Sequence, residues 1–348
     1  MKANTTFLRD FFLIALGVGT MLSSCNCNKF NKIPNVSGIE ANIDVQRFEY
    51  DLLQVDTANL ELSLTQLQKK YPEFLDVWGN RIMGLGSLHL QRPQALQNYY
   101  FFLTDTSVRN LLSQTNSAFT PFDEQKELLE DAFKRYKYHF PGKPIPQVIT
   151  CISFFERAAV TYDTTILALS LDMHMGADFP YPTSIPQFVQ QTLTKDYLVP
   201  HAVKVMYGLA FESEPKEGTL LAEMIHNGIQ LYFMDLLLPN THDHLKIDYT
   251  LAQMQWCQQN EPEMWNFFLE KELLYGTDML TNRNYVYPGP FTSGMPPESP
   301  GNAGSWLGWQ IVRKYMSEYP DTKFESLLKM DAQEILSRSK YKPKHTWL

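Results

Sequence analysis

The chain has 348 residues, 44% of them hydrophobic, and a formal net charge of −8. That is enough to bury a sizeable core in one or two domains. The acidic balance, with no basic run to override it, argues against nucleic acid or an anionic membrane surface as a partner.

The N-terminus reads as a leader, not as fold. Lys2 and Arg9 flank the start of a short apolar run, Phe11–Leu22, too short for a comfortable membrane span. Leu22-Ser23-Ser24-Cys25 follows at once and resembles the bacterial lipobox. That resemblance implies cleavage before Cys25, a diacylglycerol on its thiol and an acyl (palmitate-type) chain on the new N-terminus. Such an anchor holds a protein stably on a membrane. Residues 1–24 are then a signal peptide. Residues 25–42, polar, aperiodic and carrying Pro34 and Gly38, are expected to form a flexible tether. No acidic cluster follows Cys25, so a periplasm-facing position on the outer membrane is expected.

Residues 43–348 are expected to form a single α-rich globular domain. Residues 43–140 carry apolar positions at helical spacing, such as Leu60, Leu64 and Leu67, and Pro72 divides two of the helices. Asp123 is the expected cap of the last of them. After Phe140-Pro141-Gly142 the period changes. Gln147–Phe154 and Val160–Met173 are β-branched and apolar runs, read as two or three strands near 146–172, with Asp163 at a hairpin turn. A proline-rich loop over 174–186 leads to one or two helices around Pro200. Thr219 then caps a helix that Pro239 stops. That helix is apolar on nearly every side, yet Glu223, His226, Asn227 and Gln230 share one stripe. Buried polar groups need partners, at a cost of roughly 2–7 kcal/mol if they find none. Either water reaches this face in a cleft or other side chains bond to it. More helices follow. One opens on Pro262, and another is expected to use Ser299 and Pro300 as cap and first residue and to end near Glu318. Residues 288–304 are a Gly/Pro-rich loop of a length that suggests function. Cys151 and Cys257 sit in apolar contexts and read as buried free thiols.

Catalytic signatures are missing. The chain has no GxGxxG, P-loop or GxSxG. None of the eight histidines stands in His-Glu-x-x-His, so no metal ligand and no cofactor is assigned. His242 and His244 read as solvated loop residues. Trp306 and Trp309, at helical spacing, read as core, with a sugar- or peptide-stacking platform as the alternative.

Several stretches resemble the gliding-motility lipoprotein GldB family of Bacteroidetes. They are IDVQRF, FPGKPIPQVITCISFF, LALSLDMHMG, GTLLAEMIHNGIQLYFMDLLLP, YTLAQMQWCQQNEPEMWNFF, SPGNAGSWLGWQIVRKYM and DAQEILSRSKYKP, in that order. The resemblance implies an envelope lipoprotein associated with gliding and type IX secretion. A more distant similarity is to gluzincin-type zinc peptidases. Its best register lays the zinc-binding helix over His201-Ala202-Val203-Lys204-Val205 and the later Glu-Gly step over Asn227-Gly228. One ligand of three would survive, and neutral Asn227 binds zinc poorly.

The expected fold is therefore α+β, mostly α and zincin-like, with a small antiparallel or mixed sheet on a large helical array. The expected function is non-catalytic. A periplasm-facing lipoprotein would bind envelope or secretion proteins through a degenerate cleft lined by His201, Glu223, His226, Asn227 and Gln230. The alternatives are a metal-dependent peptidase using His174, His201, Glu223 and His226, and a glycan-binding outer-membrane lipoprotein.

Overall fold

The structure is a computed structural model that describes residues 33–163, 165–211, 215 and 218–344. The expected leader 1–24, Cys25, Cys27 and the first part of the expected tether lie outside the described residues. Strand β1 (Val45–Arg47) runs directly into α1 (Phe48–Leu53). Helices α2 (Leu60–Lys70) and α3 (Phe74–Asp76) follow, separated at Pro72, and α3 continues into a π-helical turn, Val77–Ile82. Then come α4 (Arg92–Thr104), α5 (Thr106–Ala118) and α6 (Asp123–His139). Strands β2 (Gln147–Cys151), β3 (Ala159–Tyr162) and β4 (Ile166–Ser170) are closed by a tight helical turn, Leu171–His174. The second half is helical: α7 (Gln187–Gln190), α8 (Leu198–Ala210), α9 (Leu220–Leu237), α10 (Asp243–Lys246) and α11 (Leu251–Gln259), then α12 (Glu261–Glu270), α13 (Met279–Val286), α14 (Ala303–Glu318), α15 (Phe324–Leu327) and α16 (Ala332–Ser339). The α+β, mostly α class is therefore as expected.

The sheet runs β1-β2-β4-β3. β3 and β4 form the expected antiparallel hairpin, with Val160 opposite Ala168. β2 instead pairs parallel with β4, and β1 pairs parallel with β2, Val45 opposite Val148. Strand β1 corrects the all-helical reading of residues 43–140: three residues are too few to show a period, and its partner lies far along the chain. Parallel strands are normally covered on both faces, and the alternation here shows it. Val148, Leu167 and Leu169 enter one core with α6, α8, α9 and α14. Ile149, Cys151, Ile166 and Ala168 enter a second core with α1 to α5. The sheet is thus a partition between two helical layers.

Three local expectations need correction. The stretch ending at residue 42 is not free along its whole length. Val36 and Ala41 are buried, Arg135 donates to the Pro34 carbonyl and Lys137 to that of Glu40, so these residues pack on α6. Asp123 is the first residue of α6 and not its cap. Helix α14 starts at Ala303 behind left-handed Asn302. Ser299 instead accepts the Thr292 amide inside the preceding loop.

Helix α9 is capped as expected: the Thr219 hydroxyl accepts from the Ala222 amide. Its crossing with α14 is a backbone contact. A Cβ on Gly308 would lie 1.8 Å from the Met224 carbonyl oxygen, and one on Gly228 would lie 2.4 Å from the backbone of Gly308. Only glycine fits at that approach. Around it Leu220, Met224, Phe233, Met234 and Leu237 are fully covered, each contributing roughly 1.5–3 kcal/mol.

Candidate functional site

Because β1, β2 and β4 are parallel, their carboxyl ends share one edge of the sheet, where open parallel sheets gather their ligand-facing groups. The turn after β4 places Asp172 and His174 there, and both are fully buried. Asp172 holds the segment after β2. Its carboxylate accepts the amides of Ser153 at 3.0 Å and Phe155 at 2.8 Å. Burial raises the Asp172 carboxyl to about 6, against those amide bonds. Phe154 and Phe155, at φ 55° and 67°, are both left-handed, a strained conformation for bulky side chains.

His174 begins a chain of bonds. Its Nδ1 is 3.0 Å from the Ser170 carbonyl oxygen, and its Nε2 is 2.9 Å from Nδ1 of His201 on α8. Nε2 of His201 is 3.1 Å from Oδ1 of Asp248, and Lys204 donates to Oδ2 at 2.5 Å. A carbonyl only accepts, so Nδ1 of His174 carries the proton and Nε2 offers a lone pair to His201. Burial, and next the charge of His201, lower His174 to about 3. Burial alone would raise Asp248, but Lys204 and His201 outweigh it and hold the carboxyl well below the usual range.

The hydrogen bonds of Glu223, Asn227 and Gln230 run to other elements. Glu223 accepts from Asn282 on α13 at 3.1 Å. Asn227 donates to Ser305 at 2.9 Å and to the Val286 carbonyl at 3.3 Å. Gln230 donates to the Lys204 carbonyl at 3.4 Å, and the His226 ring stands against Tyr207 with centroids 6.2 Å apart. One half of the stripe faces α13 and α14, the other α8. The structure joins His174 to His201, while Glu223 and Asn227 bond to α13 and α14. Trp306 and Trp309 are 3% and 0% exposed, so they form no stacking platform. His242 and His244 stack at 5.8 Å on a polar groove of about 430 Å³. Among the described residues no group of three His, Cys, Asp or Glu side chains is arranged to hold a metal ion.

Sequence reasoning missed the charged partners. Arg313 of α14 forks onto Asp235 of α9 and Asp243 of α10, with bonds of 2.6–2.8 Å, and stacks 3.6 Å above the Trp309 ring. Lys246 joins both acids, and the Trp309 indole donates to Asp235. Burial would raise Asp243, but Arg313 and Lys246 hold it low. The available signal was charge inside an apolar run: Asp235 in FMDLLL, Asp172 in LALSLDM and Arg313, beside Lys314, in WQIVRKYM. An unpaired charge there is prohibitive, so each implied a partner.

Among the described residues no helix is long and apolar enough to cross a membrane. Comparison with curated proteins and with solved structures gives no match, and the zincin-like likeness is not confirmed. Residues 29–343 match the family model described as gliding motility protein GldB. With that match spanning most of the sequence, the chain belongs to the GldB family of gliding-motility lipoproteins.

Proposed function

We propose that this protein is anchored through lipid on Cys25 to the outer membrane, faces the periplasm, and serves the gliding and type IX secretion apparatus by binding proteins, not by catalysis. The family match over residues 29–343 carries this reading. The lipobox-like Leu22–Cys25 supports the anchor. The chemistry of the histidine chain supports a non-catalytic role: the bonds of His174 and His201 to Ser170, to each other and to Asp248 engage all four of their ring nitrogens. The stripe of α9 is bonded to its own neighbours, so partner contact is better sought elsewhere than in that cleft.

Crosslinking in the envelope followed by purification of the full-length protein tests this reading. Secretion or gliding proteins are expected to come with the wild type, and Cys25→Ala is expected to leave the membrane fraction. A Cys25→Ala protein that stays membrane-bound would remove the lipid anchor from the account. The 2.9 Å contact of His174 with His201 leaves one second reading to test, a metal-dependent hydrolase that would have to rearrange this chain to free its donors. One equivalent of zinc in the purified protein, lost in His201→Ala, would put that reading first.

A further inference from the structure

The layer on the α4–α5 side of the sheet has a depression of about 570 Å³, within the size range of ligand sites. Ile82, Met83, Phe101, Phe102, Val108 and Phe154 supply its apolar surface. Two unusual backbone features and an exposed aromatic meet there. The π-helical turn Val77–Ile82 ends at its wall, and such turns often mark functional sites. Left-handed Phe154 lines it between Ser153 and Glu156, and Asp172 accepts the Ser153 and Phe155 amides on either side of it. The corner between α4 and α5 leaves Phe101 60% exposed. These parts are coupled. The indole of Trp78, on the π turn, donates to the Ile152 carbonyl at 2.8 Å. Phe102 stands between Trp78 and Phe154, with ring centroids 5.7 and 5.8 Å away. The Ser153 hydroxyl both accepts from the Arg157 amide and donates to its carbonyl. This lining is therefore pre-organised, which reduces the ordering cost of binding.

The charge at this depression identifies its partner. Among the described residues, the charged ones lining it are Asp105, whose carboxylate also accepts the Ser107 and Val108 amides, and Glu156, on a chain whose net charge is −8. Anionic lipid headgroups are repelled there, and a cation beside an apolar group is attracted. Met83 adds an adaptable wall that fits more than one side chain. We propose that this depression is a docking site for an extended peptide segment of another envelope protein, one that presents an aromatic or long aliphatic side chain next to a lysine or arginine. This rests on the protein-binding reading above and gives it a surface and a chemistry.

The test titrates detergent-solubilised full-length protein with dye-labelled pentapeptides, acetyl-Gly-Lys-Trp-Arg-Gly-amide and its Gly-Glu-Trp-Glu-Gly counterpart. The basic peptide is expected to bind saturably, about tenfold or more tighter than the acidic one, a difference of roughly 1.4 kcal/mol. Phe101→Ser and Glu156→Lys, both at exposed positions, are each expected to weaken the basic peptide by about tenfold, the effect of losing an interface anchor. Tyr138→Ser, at another exposed aromatic, is expected to leave binding unchanged. Absence of saturable binding, indifference to peptide charge, or indifference to both substitutions would overturn the proposal. So would recruitment to phosphatidylglycerol vesicles through Phe101, which would make the site a membrane contact. If the peptides fail while envelope crosslinking still brings down secretion proteins, the site is wrong and the broader reading stands. If crosslinking fails as well, the broader reading falls with it.

Discussion

The two faces of the sheet are built on opposite terms. On the α9 side, charges are paired in buried and half-buried sets, and helices α9 and α14 touch backbone to backbone at Gly228 and Gly308. On the α4–α5 side, two aromatics are held in a strained backbone and another is left mostly in water. The first arrangement stabilises and leaves little for a partner to use. The second costs stability locally, roughly 1–3 kcal/mol per strained residue, and that is the pattern expected where a surface must be kept ready. We therefore propose the polar stripe of α9 as scaffold and the plainer FFLTD and SFFE segments as the binding surface.

Several changes would break or sharpen this contrast. The largest effect is expected from Arg313→Met, which leaves Asp235 and Asp243 with Lys246 as their remaining charged partner. Loss of about 3–5 kcal/mol in denaturant unfolding is expected, the usual cost of stranding buried charges. A loss under about 1 kcal/mol would mean the set is not held by Arg313. Gly308→Ala should cost about 3 kcal/mol, the upper end for overpacking, because its Cβ would meet the Met224 backbone and not a movable side chain. On the other face, Asp172→Asn turns an acceptor into a partial donor against the Ser153 and Phe155 amides. It should cost about 1–3 kcal/mol and speed amide exchange at residues 153–157 before anywhere else.

Acid should separate the faces by sign. Burial, helped by Arg135, lowers His139 on α6 to about 4, and its Nε2 is buried without a hydrogen-bond partner. The denatured chain takes up that proton from about pH 6.5 downward while the native chain does not. His139→Phe should thus gain on the wild type by up to about 1.4 kcal/mol per pH unit between roughly pH 6.5 and 4. Asp172, raised to about 6 by burial, behaves oppositely: the native chain binds its proton first. The deficit of Asp172→Asn should therefore grow as pH falls from about 6 to 4. Unfolding midpoints at three pH values read both trends, and parallel curves would refute the assignment. The smallest effect is expected from Phe101→Ser, within about 0.5 kcal/mol in stability, since that ring is mostly solvated.

Much of this was legible in the sequence, and the reasons for the gaps are physical. Helix α9 with its Thr219 cap follows from local spacing, and the β3–β4 hairpin follows from β-branched runs around Asp163. Strand β1 was hidden, because a parallel pairing between Val45 and Val148 leaves no mark on either segment alone. The site was half legible. Polar residues in an apolar helix announced that partners exist, but not which ones. Asn282, Ser305 and the Lys204 carbonyl come from three other elements. The pairing of His174 with His201 could be suspected from their types. Asp248, left-handed in a loop, could not. The aromatic depression had no signature at all, since exposed and buried phenylalanines look alike in a sequence.

The contrast between the faces is tested most directly by hydrogen exchange on the full-length protein with and without the Gly-Lys-Trp-Arg-Gly peptide. Slower exchange at residues 101–108 and 153–157, with residues 223–230 unchanged, is the predicted result. Protection centred on residues 223–230 would contradict it and return the binding role to the α9 stripe.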